Sequence, residues 1–355
     1  MIVQRKGLLD VCTKALAGTS TNSALDGANA LIFDGGFVSS FNETISITCK
    51  LPEDCAELSG AISAKEFCDL LSKLEEDEIT IFVKENMWKV RTTKAKIELV
   101  KIEKYSMEVI KSITPKDFEW IPVTTSFLEC CSMALFSKNS SKLAGVYFNN
   151  EHVVSTDEMR INFFKSDVNF DDDFWLDENA VKEMLKIEGI SKISIGKSWV
   201  HFFSSENELV FSCKKVSGDY PFEFIKKRID LHKKEPTDVQ GKLPKELLQA
   251  MNRAFAFCQS IDSYLAIKLT FSTSGVQIYS EQVYGKYDEE VEWETPLENP
   301  IEKPVSILLD FRMMKASLGD YESFYIKNIE YAHGNMNTMV FECANGVQLL
   351  GSIEE

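Results

Sequence analysis

Three segments of the chain carry apolar residues at a spacing of three to four, which is the pattern of an amphipathic helix. They are RKGLLDVCTKAL from Arg5, TSFLECCSMALFSK from Thr125 and PKELLQAMNRAFAF from Pro244. Their first residues lie about 120 positions apart, and a fixed period of this kind indicates a repeated structural unit. The pattern therefore predicts three copies of one unit, each opening with a helix.

Alternating apolar and polar residues follow each of these helices. The stretches that begin at Ala30, Leu143 and Leu265 each predict two strands joined by a turn that contains Gly, Asn or Ser. A further pair of predicted strands closes each copy. These closing strands begin near Glu78, Ile193 and Phe324.

A second helix is predicted between the two strand pairs of every copy. These helices begin at Ser63, Asp177 and Asp310. Ser63 and Glu66 have the spacing of a capping box, and Asp177 is a favourable N-cap residue. Each copy is predicted to contain two helices and about six to eight short strands in all, these two pairs included.

The repeats predict three domains, at residues 1–116, 117–235 and 236–355. Their seams lie near Lys111–Trp120 and Leu231–Lys242, which are rich in proline, lysine and acidic residues. Two helices packed on antiparallel sheets in each domain give an α+β fold class. If the helices share one face of the sheets, six helices line one surface of the chain.

Composition restricts the possible partners. The 355 residues are 44% hydrophobic, enough for a full core in each domain, and the formal net charge is −16. Phosphate binding needs cations that displace counterions, so this balance argues against nonspecific coating of nucleic acid. Any contact with DNA must use segregated positive charge.

The chain contains no segment that predicts membrane insertion. Apolar stretches such as Ala30–Phe33 are far shorter than the roughly 20 residues that span a bilayer. Asp10 interrupts the apolar N-terminal segment, which favours an amphipathic helix over a secretory signal. We expect a cytoplasmic protein without a membrane partner.

The sequence offers little support for an enzyme. Nine cysteines without a CxxC pair are interpreted as core thiols, and four histidines lack metal-ligand spacing. Asp171–Asp173 could bind a divalent ion, but a solvated acidic loop is the favoured interpretation. Cys130 and Cys131 have no nearby histidine and indicate core packing rather than a nucleophile. No catalytic residue, metal or cofactor is predicted.

Two segments of the second copy carry a family resemblance. Leu143–Ile161 resembles a strand-turn-strand segment of the bacterial DNA polymerase III beta subunit, the beta sliding clamp, which ends in Thr-Asp-Gly-His-Arg-Leu. Thr156, Asp157 and Arg160 match this ending, whereas Met159 and the residue before it replace Gly-His. This departure indicates an altered partner preference.

The second matching segment is Glu208–Lys227, which is similar to the family segment that ends in Lys-x-Val-x-Gly-x-Phe/Tyr-Pro. Both segments occur in order and at compatible spacing, in a chain with the family's length and repeat count. The chain therefore resembles a divergent beta clamp over all three copies. The residues that supply the second ending are Lys215, Val216, Gly218, Tyr220 and Pro221, with Lys and Val adjacent in this chain.

The resemblance implies a DNA clamp fold and a ring-forming homodimer, in which two three-domain crescents close head to tail. The inward helices would face double-stranded DNA without reading its sequence. Such a ring is a processivity factor: a clamp loader places it on DNA, and it tethers the replicative DNA polymerase and other partners.

A groove between the second and third domains is also implied, into which partners insert a short peptide. Most of its residues are apolar, as a peptide groove requires. For isolated Leu and Ile, ordinary core packing is the alternative. The predicted groove residues are Thr156, Met159, Arg160, Ile161, Pro221, Ile225, Tyr264, Met336, Thr338, Val347, Leu349, Leu350 and Ser352.

Cations on the proposed inner helices would contact DNA phosphates. Glu178 and Asn179 stand where the family is usually basic, so weak contact is expected. Weak contact suits a closed ring, because topology retains it and it must slide. The predicted DNA-facing residues are Lys6, Lys14, Lys73, Lys138, Lys142, Lys182, Lys186, Arg253, Arg312 and Lys315.

The resemblance implies that an edge strand of the first domain pairs with one of the third domain in the other chain. Basic residues on one side would meet acidic residues on the other, and two apolar residues would add buried area. A solvated edge strand is the alternative. The predicted interface residues are Lys94, Lys96, Ile97 and Leu99 on one side, and Asp288, Glu289 and Glu290 on the other.

A second function remains open at this point. A clamp-like fold could serve as an interaction or regulatory protein that keeps the groove but does not encircle DNA. The missing basic residues keep this alternative open. A stable monomer would favour it, whereas a dimer retained on circular DNA would favour the ring.

Overall fold

The structure is a computed structural model. It describes residues 1–22, 25–105, 107–113, 119–135, 143–157, 159–234, 237–261, 264–299, 301–318, 321, 323–331 and 334–353. The α-helices in these ranges are α1 (Arg5–Ala15), α2 (Ala64–Lys73), α3 (Met107–Ile113), α4 (Thr125–Met133), α5 (Glu178–Leu185), α6 (Phe222–Lys234), α7 (Leu247–Ala254) and α8 (Phe311–Ser317).

The strands are short and numerous. In chain order they are β1 (Ile2–Gln4), β2 (Ala30–Asp34), β3 (Phe37–Phe41), β4 (Ile45–Lys50), β5 (Gly60–Ser63), β6 (Glu78–Lys84), β7 (Met87–Arg91), β8 (Lys96–Ile102), β9 (Ile121–Pro122), β10 (Gly145–Phe148), β11 (His152–Thr156), β12 (Arg160–Lys165), β13 (Phe174–Asp177), β14 (Ile190–Ile195), β15 (Trp199–Ser204), β16 (Leu209–Lys214), β17 (Val239–Lys242), β18 (Gln259–Ile261), β19 (Tyr264–Phe271), β20 (Gly275–Gln282), β21 (Gly285–Glu292), β22 (Val305–Asp310), β23 (Ser323–Tyr331), β24 (Gly334–Cys343) and β25 (Gly346–Gly351).

All six predicted helices are present, as α1, α2, α4, α5, α7 and α8. Asp177 caps α5, because its carboxylate accepts hydrogen bonds from the backbone N–H groups of Asn179 and Ala180 at 2.9 and 3.3 Å. The capping box predicted for α2 is wrong. The Ser63 hydroxyl makes no bond to a helix N–H and instead donates to the Glu66 carboxylate.

The chain divides into two compact units. The first contains residues 1–128 and 176–217, and its strands form one sheet in the order β1-β6-β7-β8-β5-β2-β3-β4-β16-β15-β14-β9. Phe33, Phe67 and Trp88 form the aromatic centre of its core, with ring centroids 5.0 to 6.1 Å apart. All three side chains are almost fully buried.

The second unit contains residues 129–175 and 218–355. One of its sheets has the order β13-β10-β11-β12-β25-β24-β23-β17, and the other has the order β18-β19-β20-β21 with β22 paired to β19. Phe271 contacts Phe324 at 5.3 Å between ring centroids, so the two sheets pack against each other within this unit.

Strands from the middle of the sequence take part in both units. Within the first unit β16 pairs with β4, and within the second β12 pairs with β25. Each of these sheets therefore contains strands from two of the predicted domains. This sharing explains why the chain forms two compact units rather than three. The division into three domains, with boundaries after residues 116 and 235, stays a prediction.

All nine cysteines are free thiols, and eight of them are buried, as expected for core residues. Burial raises the pKa of the Cys130 thiol to about 11, which keeps it protonated at neutral pH. Across the described ranges, no helix has both the length and the apolar character needed to cross a membrane.

Candidate functional site

Strands β12 and β25 bring together several of the predicted groove residues within the second unit. Ile161 lies opposite Leu349, and Arg160 lies opposite Leu350. The Gly351 amide donates to the Met159 carbonyl at 2.9 Å, so the pairing continues past the end of β12. The sequence motif and the C-terminal strand therefore form one continuous surface.

The turn between β11 and β12 is held by Asp157. Its carboxylate accepts the Arg160 amide at 2.7 Å and the Arg160 Nε at 2.8 Å, and it forms an ion pair with the same guanidinium at 2.5 Å. The Thr156 hydroxyl donates to the Arg160 carbonyl at 2.8 Å. The Arg160 side chain is only 2% exposed. The Thr-Asp-x-x-Arg motif therefore stabilises the turn through buried contacts.

Strand β24 lies on the far side of β25. Thr338 is opposite Gly351, and the Ser352 amide donates to the Asn337 carbonyl at 3.1 Å. Met336 is in the same strand, but its side chain lies outside the described part of the structure. Strand β25 thus lies between β12 and β24.

The start of α6 packs on the same sheet. The Phe222 ring lies 6.1 Å from the Phe163 ring of β12 and 5.3 Å from the Tyr147 ring of β10. Gly218, just before this helix, has a φ of +115°, which L side chains rarely adopt. These contacts place Pro221 and Ile225 beside β10–β12, whereas Tyr264 begins β19 in the other sheet.

Burial divides the predicted groove residues into two groups. Thr156, Arg160, Ile161, Ile225, Thr338, Leu349 and Leu350 are buried. The half-exposed residues, which a partner can reach in this state, are Met159, Pro221, Tyr264, Val347 and Ser352. The sequence did not separate these groups, because alternation in a strand gives the same pattern for a core and for a groove wall.

Most predicted DNA-facing cations already hold a carboxylate of the same chain. Lys315 instead donates to Asn252 at 3.1 Å, and Lys73 is exposed at the end of α2. Lys138 and Lys142 lie outside the described residues. The pairs are Lys6–Asp77 (3.0 Å), Lys14–Asp10 (2.5 Å), Lys182–Glu178 (2.6 Å), Lys186–Glu183 (2.6 Å), Arg253–Glu289 (2.5 Å) and Arg312–Asp310 (2.6 Å).

The predicted interface residues lie on two strands. Lys96, Ile97 and Leu99 are in β8, with the two apolar side chains half-buried, whereas Lys94 lies in the turn before this strand. Asp288, Glu289 and Glu290 are in β21. Glu289 also binds Arg253, so one intrachain ion pair joins residues that were predicted for two different surfaces.

Asp173 and His201, which were considered for metal binding, have hydrogen-bond partners within the chain. Asp173 accepts a hydrogen bond from the Tyr147 hydroxyl at 2.5 Å. Among the described residues, no three His, Cys, Asp or Glu side chains are placed to hold a metal ion. Burial lowers the pKa of His201 to about 4, which keeps its imidazole neutral beside the Ser212 hydroxyl.

The architecture matches solved structures over the whole chain. The beta subunit from DNA polymerase of Streptococcus pyogenes matches with a TM-score of 0.77 at 17% identity, covering 100% of this chain and 99% of that one. The DNA polymerase sliding clamp from Bacillus subtilis matches with a TM-score of 0.78 at 18% identity, covering 100% and 98%. The DNA polymerase III subunit beta from Pseudomonas aeruginosa gives 0.76 at 16%, covering 100% of both chains.

Comparison by sequence alone gives no match, either to a family model or to a curated protein. The structural matches nevertheless extend from end to end, with TM-scores of 0.76 to 0.78. The chain therefore has the fold of the bacterial sliding clamps, which confirms the predicted α+β clamp fold.

Proposed function

We propose that this protein is a DNA sliding clamp: a processivity factor that encircles double-stranded DNA, independently of sequence, and tethers a replicative polymerase. The observation that carries the proposal is the full-length match to sliding-clamp structures. A clamp works by topology and not by chemistry, so the protein is proposed to have no enzymatic activity. It acts in the cytoplasm after a clamp loader has placed it on DNA.

Encirclement requires two copies in the proposed ring. β8 of one copy would meet β21 of the other, through the interface residues predicted above. The exposed charges on these strands are of opposite sign at Lys96 and Asp288. This complementarity supports a homodimer over an arrangement with a different chain.

The acidic character of the chain is compatible with this role. A closed ring stays on circular DNA because the duplex passes through it. Strong contacts with phosphates would oppose sliding of the ring along the DNA. Cations already paired with carboxylates, such as Lys182 with Glu178, offer DNA only weak contact. The same excess of acidic residues would weaken DNA binding in a protein that depends on affinity for phosphate to stay on DNA.

Retention on circular DNA is the direct test of the proposed function. After loading by the cognate loader and ATP, we expect the clamp to remain on nicked circular DNA through gel filtration and to leave once a restriction enzyme linearises it. A clamp opened at its interface should not be retained on either DNA. Equal retention on circular and linear DNA, or a stable monomer of 40.3 kDa, would contradict the proposal.

Partner binding would use the half-exposed part of the groove. We expect Met159→Asp and Val347→Asp each to weaken binding of the polymerase's clamp-binding peptide by about tenfold or more, because a charge is placed in an apolar peptide site. Fluorescence anisotropy of a labelled peptide measures the dissociation constant.

A matched control for the groove is Phe37→Ser, which changes an exposed apolar residue of β3 in the first unit. Its peptide affinity should equal that of the wild type. If both groove variants also bind like the wild type while they remain folded and dimeric, the peptide site lies elsewhere.

A further inference from the structure

Helix α6 lies across one face of the sheet that contains β12 and β23. At its start the Phe222 ring contacts Phe163 of β12, and near its end the His232 carbonyl accepts a hydrogen bond from the Lys327 side chain of β23. Since β25 and β24 lie between these two strands, α6 also crosses the C-terminal strand. The buried residues follow a spacing of three to four along the helix. They are Phe222, Ile225, Ile229 and His232.

The opposite side of α6 carries a second stripe of residues, which consists of Phe224, Lys227, Arg228 and Leu231 and is called the α6 stripe here. These positions are spaced three and four apart, so they lie on one side of the helix. Phe224 and Leu231 are 58% and 43% exposed, and the Arg228 guanidinium lies 4.9 Å from the centre of the Phe224 ring. Exposed apolar residues that surround charged ones are typical of an interaction site.

The charge of α6 is opposite to that of the chain as a whole. Its 13 residues include five Lys or Arg and two acidic residues, whereas the chain has a net charge of −16. The exposed acids Glu223 and Asp230 are seven positions apart and therefore lie on one flank of the helix. Lys227 is exposed, and in the part of the chain that the structure describes it holds no carboxylate. The stripe therefore attracts acidic groups of a partner.

The proposed groove reaches the same face of the sheet as α6. Val347 of β25 is half-exposed and lies directly opposite Phe163 of β12. Residues directly opposite each other in paired strands point to the same face of a sheet. Because the Phe163 ring contacts Phe222, this is the face that α6 crosses. A peptide that contacts Val347 therefore lies beside α6, and the residues next to it in the partner can reach the α6 stripe.

The composition of the stripe favours a polypeptide partner over nucleic acid. Single-stranded nucleic acid is held by several aromatic side chains on which successive bases stack, together with a continuous basic groove. The α6 stripe has one aromatic residue, and the rest of the chain is strongly acidic. Two apolar residues with two cations between them instead complement a segment in which carboxylates alternate with apolar side chains.

We propose, resting on the groove proposed above, that the α6 stripe is a second docking site for a partner whose peptide occupies the groove. It binds an acidic segment that adjoins this peptide. Carboxylates of the segment pair with Lys227 and Arg228, and an apolar side chain packs on Phe224 and Leu231. Because one chain joins the two contacts, the second forms at a high effective concentration and can be weak on its own.

Charge reversal tests the stripe with two probes, the intact polymerase and its isolated clamp-binding peptide. We expect Lys227→Glu with Arg228→Glu to raise the dissociation constant of the intact polymerase by about tenfold or more and to leave that of the peptide unchanged. Higher salt should reduce this difference. The matched control is Lys84→Glu with Lys104→Glu, which changes the net charge equally at exposed residues of the first unit and should affect neither probe. Surface plasmon resonance measures both constants.

The apolar part is tested by Phe224→Gln with Leu231→Gln, because glutamine keeps the helix propensity and both side chains are exposed. This variant should keep the urea midpoint and peptide affinity of the wild type and bind the intact polymerase about tenfold or more weakly.

The chemistry of the partner is tested with synthetic tails on the clamp-binding peptide. A tail of alternating Glu and Leu should raise the affinity of the peptide for the wild type but not for the Lys227→Glu, Arg228→Glu variant. A tail of the same length with Gln in place of Glu should give no gain for either protein.

The outcomes separate the stripe from the proposed function. A wild-type chain that binds the intact polymerase but not its peptide contradicts the groove and, with it, a site that adjoins the groove. Normal peptide binding with both α6 variants equal to the wild type towards the intact polymerase leaves the groove in place and overturns the stripe. If the charge variant loses affinity for single-stranded oligothymidylate but not for the polymerase, α6 binds nucleic acid and the proposed partner is wrong.

Discussion

Replacing Arg160 with alanine is expected to lower the free energy of unfolding by about 3–5 kcal/mol. The guanidinium and the Asp157 carboxylate are buried together, with side chains 2% and 5% exposed and a separation of 2.5 Å. Removing only the cation leaves a carboxylate in the interior without its counter-charge. Urea unfolding followed by circular dichroism measures the loss.

An exposed ion pair provides the control for this prediction. Lys50 and Glu208 lie 2.8 Å apart with side chains 51% and 60% exposed, so Lys50→Ala should cost less than about 1 kcal/mol. Combining Asp157→Asn with Arg160→Met should recover part of the loss, since no buried charge then lacks a partner. If Arg160→Ala costs no more than Lys50→Ala, the buried pair does not hold the turn.

Replacing Leu350 with alanine is expected to cost about 2–5 kcal/mol, because the side chain is fully buried and a cavity would remain. Leu350 lies between Arg160 of β12 and Met339 of β24. Val347→Ala in the same strand removes a half-buried side chain and should cost less than about 1.5 kcal/mol. Differential scanning fluorimetry and urea unfolding compare the two, and equal losses would contradict the burial difference.

The Leu350 prediction also affects how the groove is studied. An aspartate at this position would disrupt the core of the second unit, so lost peptide binding would report on folding. Met159 and Val347 are better positions because a partner can reach them without unfolding the sheet.

Sequence pattern predicted the repeated helices because their spacing is local and strongly amphipathic. Asp177 was predicted correctly as a cap, since the bond it makes spans only a few residues. α3 and α6 were not predicted. α6 begins within a segment that was interpreted through its family motif, and its apolar positions Phe222, Ile225 and Ile229 continue the helical spacing.

The candidate site was predicted less completely, because its properties depend on distant contacts. Arg253 is neutralised by Glu289, which is 36 positions away and on a different element. No local pattern reveals that pairing. The sequence also did not show which side chains are buried. Ile161 and Val347 both have the pattern of strand residues, but only Val347 is half-exposed.

The ion pairs on the proposed inner helices have a consequence for movement. A phosphate that approaches Lys186 or Arg312 competes with a carboxylate already in place, so each contact replaces one interaction with another. Few counterions are released in such an exchange. For a ring on DNA, the interaction energy between the protein and the duplex then varies little from one base pair to the next. The energy barriers to sliding are therefore low.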